Sequence, residues 1–154
     1  MKKKNQILDT NLLVALIRSD NFQNKFYEKY PLIENNLLIS VVTEGEILAL
    51  SIKWGWGNRK VQKFIKLLDD LVVHPIKVRS IIDTYAQIDA YSQGKLLNKP
   101  LPNKMSSRNM GKNDIWIAAT AHVTNSTLIT TDKDFDHLNQ SFIDLDRVTS
   151  TDFL

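Results

Sequence analysis

Carboxylates stand at four places in this 154-residue chain where apolar runs give way to polar residues. Ile7-Leu8 leads into Asp9, with Thr10 and Asn11 behind it. Ile39-Ser40-Val41-Val42 leads into Thr43, and Glu44 and Glu46 follow within a turn. Asn113-Asp114 precedes Ile115 to Val123, and Leu128-Ile129-Thr130-Thr131 leads into Asp132. Each acid alone has a structural reading. Asp9 and Asp132 suit helix N-caps, Thr43 and Glu46 have the spacing of a capping box, and Asp114 in a first helical turn complements the helix dipole. Gathered at one place, they repel one another and raise each other's pKa. A divalent cation relieves that cost, and hard oxygen ligands suit Mg²⁺ or Mn²⁺. Such a site orients water and stabilises charge building on a phosphoryl group, which is the chemistry of phosphodiester hydrolysis.

The other side chains that do chemistry narrow the choice. There is no cysteine, which excludes disulfides, thiolate metal sites and a thiol nucleophile. Of the three histidines, His74 precedes Pro75 in a turn, while His122 and His137 read as ordinary helix or surface residues. An Asp ending a first parallel strand also suits haloacid-dehalogenase-like phosphatases and response-regulator receivers. The first need an Asp where Asn11 stands, and the second an acidic pair where Asp9 stands alone.

The elements that must bring these acids together follow from apolar spacing. Gln6–Leu8 reads as a strand and Asn11–Ile17 as a helix. Phe22, Phe26, Tyr27 and Tyr30 recur at helical spacing up to Pro31. Leu37–Val42 reads as a buried strand, Thr43–Ile52 as a helix, and Val61, Phe64, Ile65 and Leu68 as one face of another. Leu71–Val73 reads as a strand closed by Pro75, and Val78 to Ile88 as a helical stripe. Residues 94–113 form a long acid-free loop. Ile115–Val123 reads as a helix of small residues, with strands at Thr127–Thr130 and Phe142–Leu145. Strands alternating with helices imply an α/β fold with a mainly parallel sheet covered on both faces. In such sheets ligands bind beyond the carboxyl ends of the strands, where all four acids fall.

Length and a 43% apolar content suit one domain spanning 1–154. Met1-Lys2-Lys3-Lys4 and the apolar residues after it imitate a secretory signal, but Asp9 to Asn11 interrupt the run and no small-residue cleavage site follows. No stretch has the roughly 20 apolar residues that span a bilayer. The expectation is a soluble, cytoplasmic protein with no membrane partner.

The net charge of +3 hides an asymmetry. Lys53, Arg59, Lys60, Lys63 and Lys66 lie in one acid-free stretch, and Lys95, Lys99, Lys104, Arg108 and Lys112 in another. Together they are half of the 20 basic residues, leaving ten against 17 acids elsewhere, a net −7. Basic arms beside an acidic edge suit a polyanion held by its backbone, and the second stretch supplies the candidate substrate contacts. A solvated surface explains the first stretch equally well. Trp54 and Trp56 are of the type that stacks on unpaired bases, although packing on a neighbouring helix or a partner is the simpler reading. Trp116 reads as core.

Ile7-Leu8-Asp9-Thr10-Asn11, Ser40-Val41-Val42-Thr43 with Glu46, Asn113-Asp114 with Ala118-Ala119-Thr120-Ala121, and Thr130-Thr131-Asp132 with Phe135 together resemble PIN domains. The resemblance is to the VapC-type toxins of bacterial toxin–antitoxin pairs, and it runs from residue 7 to about residue 145. It implies a three-layer α/β fold with a mainly parallel central sheet. It also implies a Mg²⁺- or Mn²⁺-dependent endoribonuclease, usually homodimeric and silenced by a cognate antitoxin, whose substrate is tRNA or another structured RNA. Carried over by position, the catalytic and metal-binding acids are Asp9, Glu46, Asp114 and Asp132. Thr10, Asn11, Ser40 and Thr131 match supporting polar positions, and Asp134 an outer position better read as a helix-start acid. Two departures stand out: the stretch from Lys95 to Lys112 is long, and Gly45 occupies a position where a helix favours Ala. The alternative is a non-catalytic RNA-binding or scaffold protein on the same fold.

Overall fold

Ile7 and Leu8 are adjacent, both fully buried, and belong to different apolar clusters, so the strand that carries them is covered on both sides. In a computed structural model describing residues 2–153, that strand, β1 (Lys4–Leu8), is the centre of a five-stranded sheet. The others are β2 (Asn35–Ser40), β3 (Leu71–His74), β4 (Thr127–Thr130) and β5 (Asp144–Arg147), in the order β3-β2-β1-β4-β5 and all parallel. Ile7 lies opposite Leu38 and Leu128, and Leu8 opposite Ile129. Each row of lateral neighbours therefore shares a face.

Helices α1 (Thr10–Arg18), α2 (Asp20–Lys29) and α4 (Asn58–Leu68) pack one core with Leu8, Ile39 and Ile129, through Leu12, Leu16, Phe26 and Phe64; α3 (Val41–Lys53) adds Ile47. Helices α5 (Arg79–Ser92) and α6 (Lys112–Val123) pack the other with Ile7, Leu38 and Leu128, through Ile81, Ile88, Ile115 and Ala118. Small residues at 118, 119 and 121 are all buried and bring α6 close to its neighbours. Each buried Leu, Ile or Phe of the two cores contributes about 1.5–3 kcal/mol. The outcome is the three-layer α/β arrangement expected from the sequence.

The direction in which strands are added to the sheet reverses at β1. The path leaves it for β2 and β3 on one side, then crosses back through α5 and α6 to β4 and β5 on the other. The gap beyond the ends of β1 and β4 is therefore the switch point of the sheet, the place where a ligand crevice opens.

Three sequence expectations change. The second strand stops at Ser40 rather than Val42, because the Ser40 hydroxyl accepts from Val42 N–H at 3.1 Å and starts α3 at Val41. An N-cap thus overrides the β preference of two valines. With it goes the Thr43–Glu46 capping box, since Thr43 already lies inside the helix. The last strand is Asp144–Arg147 rather than Phe142–Leu145. Phe142 and Ile143 instead form a turn whose N–H groups bond the Leu138 carbonyl, and their apolar character serves the core under that turn. His137 is not a surface residue: it is 2% exposed, and its Nε2 lies 2.8 Å from Ser92 Oγ. Among the described residues no helix is long and apolar enough to cross a membrane.

Candidate active site

The end of β1 delivers Asp9 to the bottom of the crevice, where it is 3% exposed. It caps α1, its Oδ1 accepting from Leu12 N–H at 2.9 Å, and its Oδ2 accepts from the Thr130 hydroxyl. Burial raises the Asp9 pKa most, these two hydrogen bonds oppose the rise, and the charges of Asp132 and Glu46 add to it.

Glu46 comes from the second turn of α3. Its carboxylate accepts from the Thr10 hydroxyl at 2.7 Å, and the same hydroxyl lies 3.2 Å from Thr43 Oγ1. Thr10 opens α1 directly after Asp9, so one hydroxyl ties the first helix to the third. Asp132 follows β4. Its backbone N–H donates to Thr130 Oγ1 at 2.9 Å, and its Oδ1 accepts from Asp134 N–H at 2.9 Å, starting the 3₁₀ segment Lys133–Leu138.

Asp114 sits in the first turn of α6. Among the described residues no hydrogen bond or ion pair holds its carboxylate. Its pKa is pushed up to about 6, first by burial and then by Asp132, Asp9, Glu46 and Asp134, although the helix dipole favours the charged form. Carboxylate oxygens of Asp114, Asp132 and Asp134 lie within 4.8 Å of one another.

A cleft of about 770 Å³ joins these groups. Asp9, Thr10, Asn11, Glu46, Asp114 and Asp132 all line it, with Asn113 beside them and Lys53 further along. Four acids from four separate segments thus meet as the sequence suggested. All are oxygen donors, and among the described residues no Lys or Arg makes a salt bridge to them or to Asp134. Unneutralised carboxylates, one of them with a strongly raised pKa, fit a hard divalent cation.

Other sequence candidates take different places. Ser40 is fully buried as the α3 cap. Thr131 is exposed, and its neighbour Thr130 makes the contact with Asp9. Asp134, read as a helix-start residue, does start the 3₁₀ segment and also joins the acid group. Of the loop cations, Lys112 opens α6 two residues before Asp114. Lys99 lies at the opposite, strand-start edge of the sheet, where its ammonium donates to the Ser141 carbonyl and sits 4.2 Å from the Phe142 ring centroid. Lys95 N–H bonds Ala90 and Arg108 N–H bonds Ser92, both at the end of α5, and Lys104 is exposed in the loop. Trp56 packs on the first core, whereas Trp54 is 58% exposed with the Arg18 guanidinium 5.4 Å from its ring. Thr130 and Thr43 are the site neighbours that the sequence did not single out, and Lys53, read there only as one of a basic stretch with a solvated surface as the equal alternative, lines the cleft.

The PIN-domain family model matches residues 7–140, which include every acid of the cleft. The chain belongs to the PIN family. PIN domains are generally nucleases. No curated protein sequence matches this PIN domain. Solved structures similar to it include VapBC2 from Rickettsia felis bound to a promoter DNA fragment, at 21% identity and TM-score 0.74, covering 93% of this chain and 98% of that one. VapBC-1 from nontypeable Haemophilus influenzae is 22% identical with TM-score 0.64, covering 93% and 97%. VapBC-5 from Mycobacterium tuberculosis, from a family of toxin–antitoxin systems, is 20% identical with TM-score 0.60, covering 94% and 98%. At these identities the likeness is one of fold.

Proposed function

We propose that this PIN domain, spanning 1–154, is a cytoplasmic metal-dependent endoribonuclease and the toxin of a bacterial toxin–antitoxin pair. The observation that carries the nuclease reading is the convergence of Asp9, Glu46, Asp114 and Asp132 on one cleft with no Lys or Arg paired to them among the described residues. The toxin reading draws on the likeness to toxin–antitoxin structures. A cognate antitoxin and a second copy of this chain are its proposed protein partners. The exposed apolar residues Val41, Leu48 and Ile52 on α3 and Ile65 on α4 support a protein-binding surface.

Asp114, Asp132 and Asp134, with Asp9 and Glu46 along the same cleft, would hold Mg²⁺ or Mn²⁺, which when bound activates water and screens charge on the phosphoryl group. The chain's own groups prepare that chemistry. Thr130 and Leu12 N–H fix both oxygens of Asp9 and favour its ionised form. Thr10 aims Glu46. Asp114 carries its proton more readily than an ordinary aspartate and yields it when positive charge enters the cleft. The proposed substrate is tRNA or another structured RNA, cleaved by attack of water on phosphorus.

The test is cleavage of total cellular RNA by purified, antitoxin-free protein with Mg²⁺, Mn²⁺ or EDTA, beside Asp9→Asn and Asp114→Asn. Discrete products that need both metal and Asp114 are expected. Undiminished cleavage by folded Asp114→Asn would remove these acids from the chemistry.

A further inference from the structure

The cleft does not end at the acids. It continues along one side of α3, lined by Val42, Gly45, Glu46, Ala49, Leu50 and Lys53, a stripe with the helical spacings of three, four and seven residues. The stripe is about 16 Å long at 1.5 Å per residue. Its middle is kept low by small residues, and a Cβ built on Gly45 would meet nothing within 4 Å. Lys53 closes the far end, two helical turns and about 10.5 Å beyond Glu46. Lys53 is the cation among the cleft-lining residues, and among the described residues no hydrogen bond or ion pair holds its ammonium.

We propose that this side of α3 is the track for an unpaired RNA segment, with Lys53 holding a neighbouring phosphate while the scissile one lies at the acids. The proposal deepens the nuclease reading and rests on it for the acid end. An acidic cleft repels a polyanion, so a cation beyond the acids is what lets the strand lie along it. The track favours a single strand because Asp9 lies at the bottom of the cleft, 3% exposed. A flexible strand can bend a phosphate down to it, whereas a duplex holds its phosphates on a rigid cylinder. A protein segment would find more apolar surface elsewhere on α3, where Val41, Leu48 and Ile52 are exposed on a different side from Lys53.

Lys53 is thereby a positioning residue, and its test separates binding from chemistry. Wild type, Lys53→Ala and Lys53→Arg would be compared on a single-stranded oligoribonucleotide of about eight nucleotides and on a dinucleotide, across a range of salt. For Lys53→Ala on the longer substrate, KM should rise about three- to tenfold with kcat within about twofold, and the salt slope should fall by about one phosphate's worth. The dinucleotide, too short to reach Lys53, should be cleaved alike by both, and Lys53→Arg should restore the longer substrate. A second arm reads binding alone, by anisotropy of a labelled, non-cleavable 2′-O-methyl oligonucleotide with Mg²⁺.

Binding that depends on Lys53 without any cleavage by wild type would keep the track and overturn the nuclease. Cleavage with KM and salt slope indifferent to Lys53→Ala would keep the nuclease and overturn the track. If RNA ignores the substitution while a purified antitoxin loses affinity, the groove belongs to protein and the proposal falls.

Discussion

Asp114 concentrates the electrostatics of the cleft, and its pKa has a consequence for stability. The folded-state value is about 6, against about 3.9 for an unfolded aspartate. Between those values the native state holds more protons than the unfolded chain, so this group makes stability fall as pH rises from about 4 to about 6. His137 acts in the opposite sense. Burial, then Arg108, lowers its pKa to about 4, so its neutral form favours folding above about 6.5 and stability is lost as pH drops towards 4. The difference between wild type and Asp114→Asn cancels the histidine. We predict that, in EDTA, Asp114→Asn raises Tm more at pH 7 than at pH 5, and that Mn²⁺ stabilises wild type at pH 7 but not the variant. Equal Tm gains at both pH values would contradict the raised pKa. Thr130 belongs to the same balance. Thr130→Val removes the hydroxyl that Asp9 accepts from and that Asp132 N–H donates to, at a cost of about 1.5–3 kcal/mol for a hydrogen bond to a charged group. Thr130→Ser should recover most of it in urea unfolding.

How far α3 could be read from the sequence explains what was legible and what was not. Acids near the ends of apolar runs are visible because parallel strands stop where the crevice begins, which marked Asp9, Asp132, the pair Glu44 and Glu46, and Asp114 at a helix start; the choice of Glu46 over Glu44 came from the PIN resemblance. Choosing between Thr130 and Thr131 needed contact information. Leu8 lies opposite Ile129, which makes Thr130 the lateral neighbour of Asp9, and that register arises from packing between strands far apart in the chain. Lys53 was visible only as one of a basic stretch. A helix read as Thr43–Ile52 leaves both Val42 and Lys53 outside the stripe, whereas α3 runs from Val41 through Lys53. Two substitutions check α3 directly. Ser40→Ala removes the cap and should cost about 1 kcal/mol. Gly45→Ala should stabilise by about 0.5–1 kcal/mol, because the residue lies within the helix and its added Cβ meets open space. A loss of stability in Gly45→Ala by denaturant unfolding would mean that the groove is closed over that residue.

Half of the molecule's positive charge lies in two acid-free stretches, yet folding disperses it. Lys63 pairs with Asp20, and Lys60 lies 5.1 Å from the Trp56 ring centroid. Lys99 is tied to Ser141 and Phe142 at the edge of the sheet opposite the acids, while Lys53 and Lys112 remain beside the cleft. Charge density along the sequence thus overstates the charge available to one strand of RNA. Each phosphate neutralised on a single strand contributes a slope of about −0.7 to log K against log salt. If only the cations near the cleft engage, the whole slope should correspond to about two phosphates rather than ten. The decisive pair is Lys112→Ala and Lys99→Met. Lys112→Ala should weaken RNA binding and flatten the slope by about 0.7, with little change in Tm. Lys99→Met should leave the slope alone and lower Tm, because it deletes an internal contact of the loop. The reverse assignment would place the RNA along the 93–111 loop, away from the acids. A steep slope that neither substitution changes would instead mean that RNA is held chiefly by the α4 lysines.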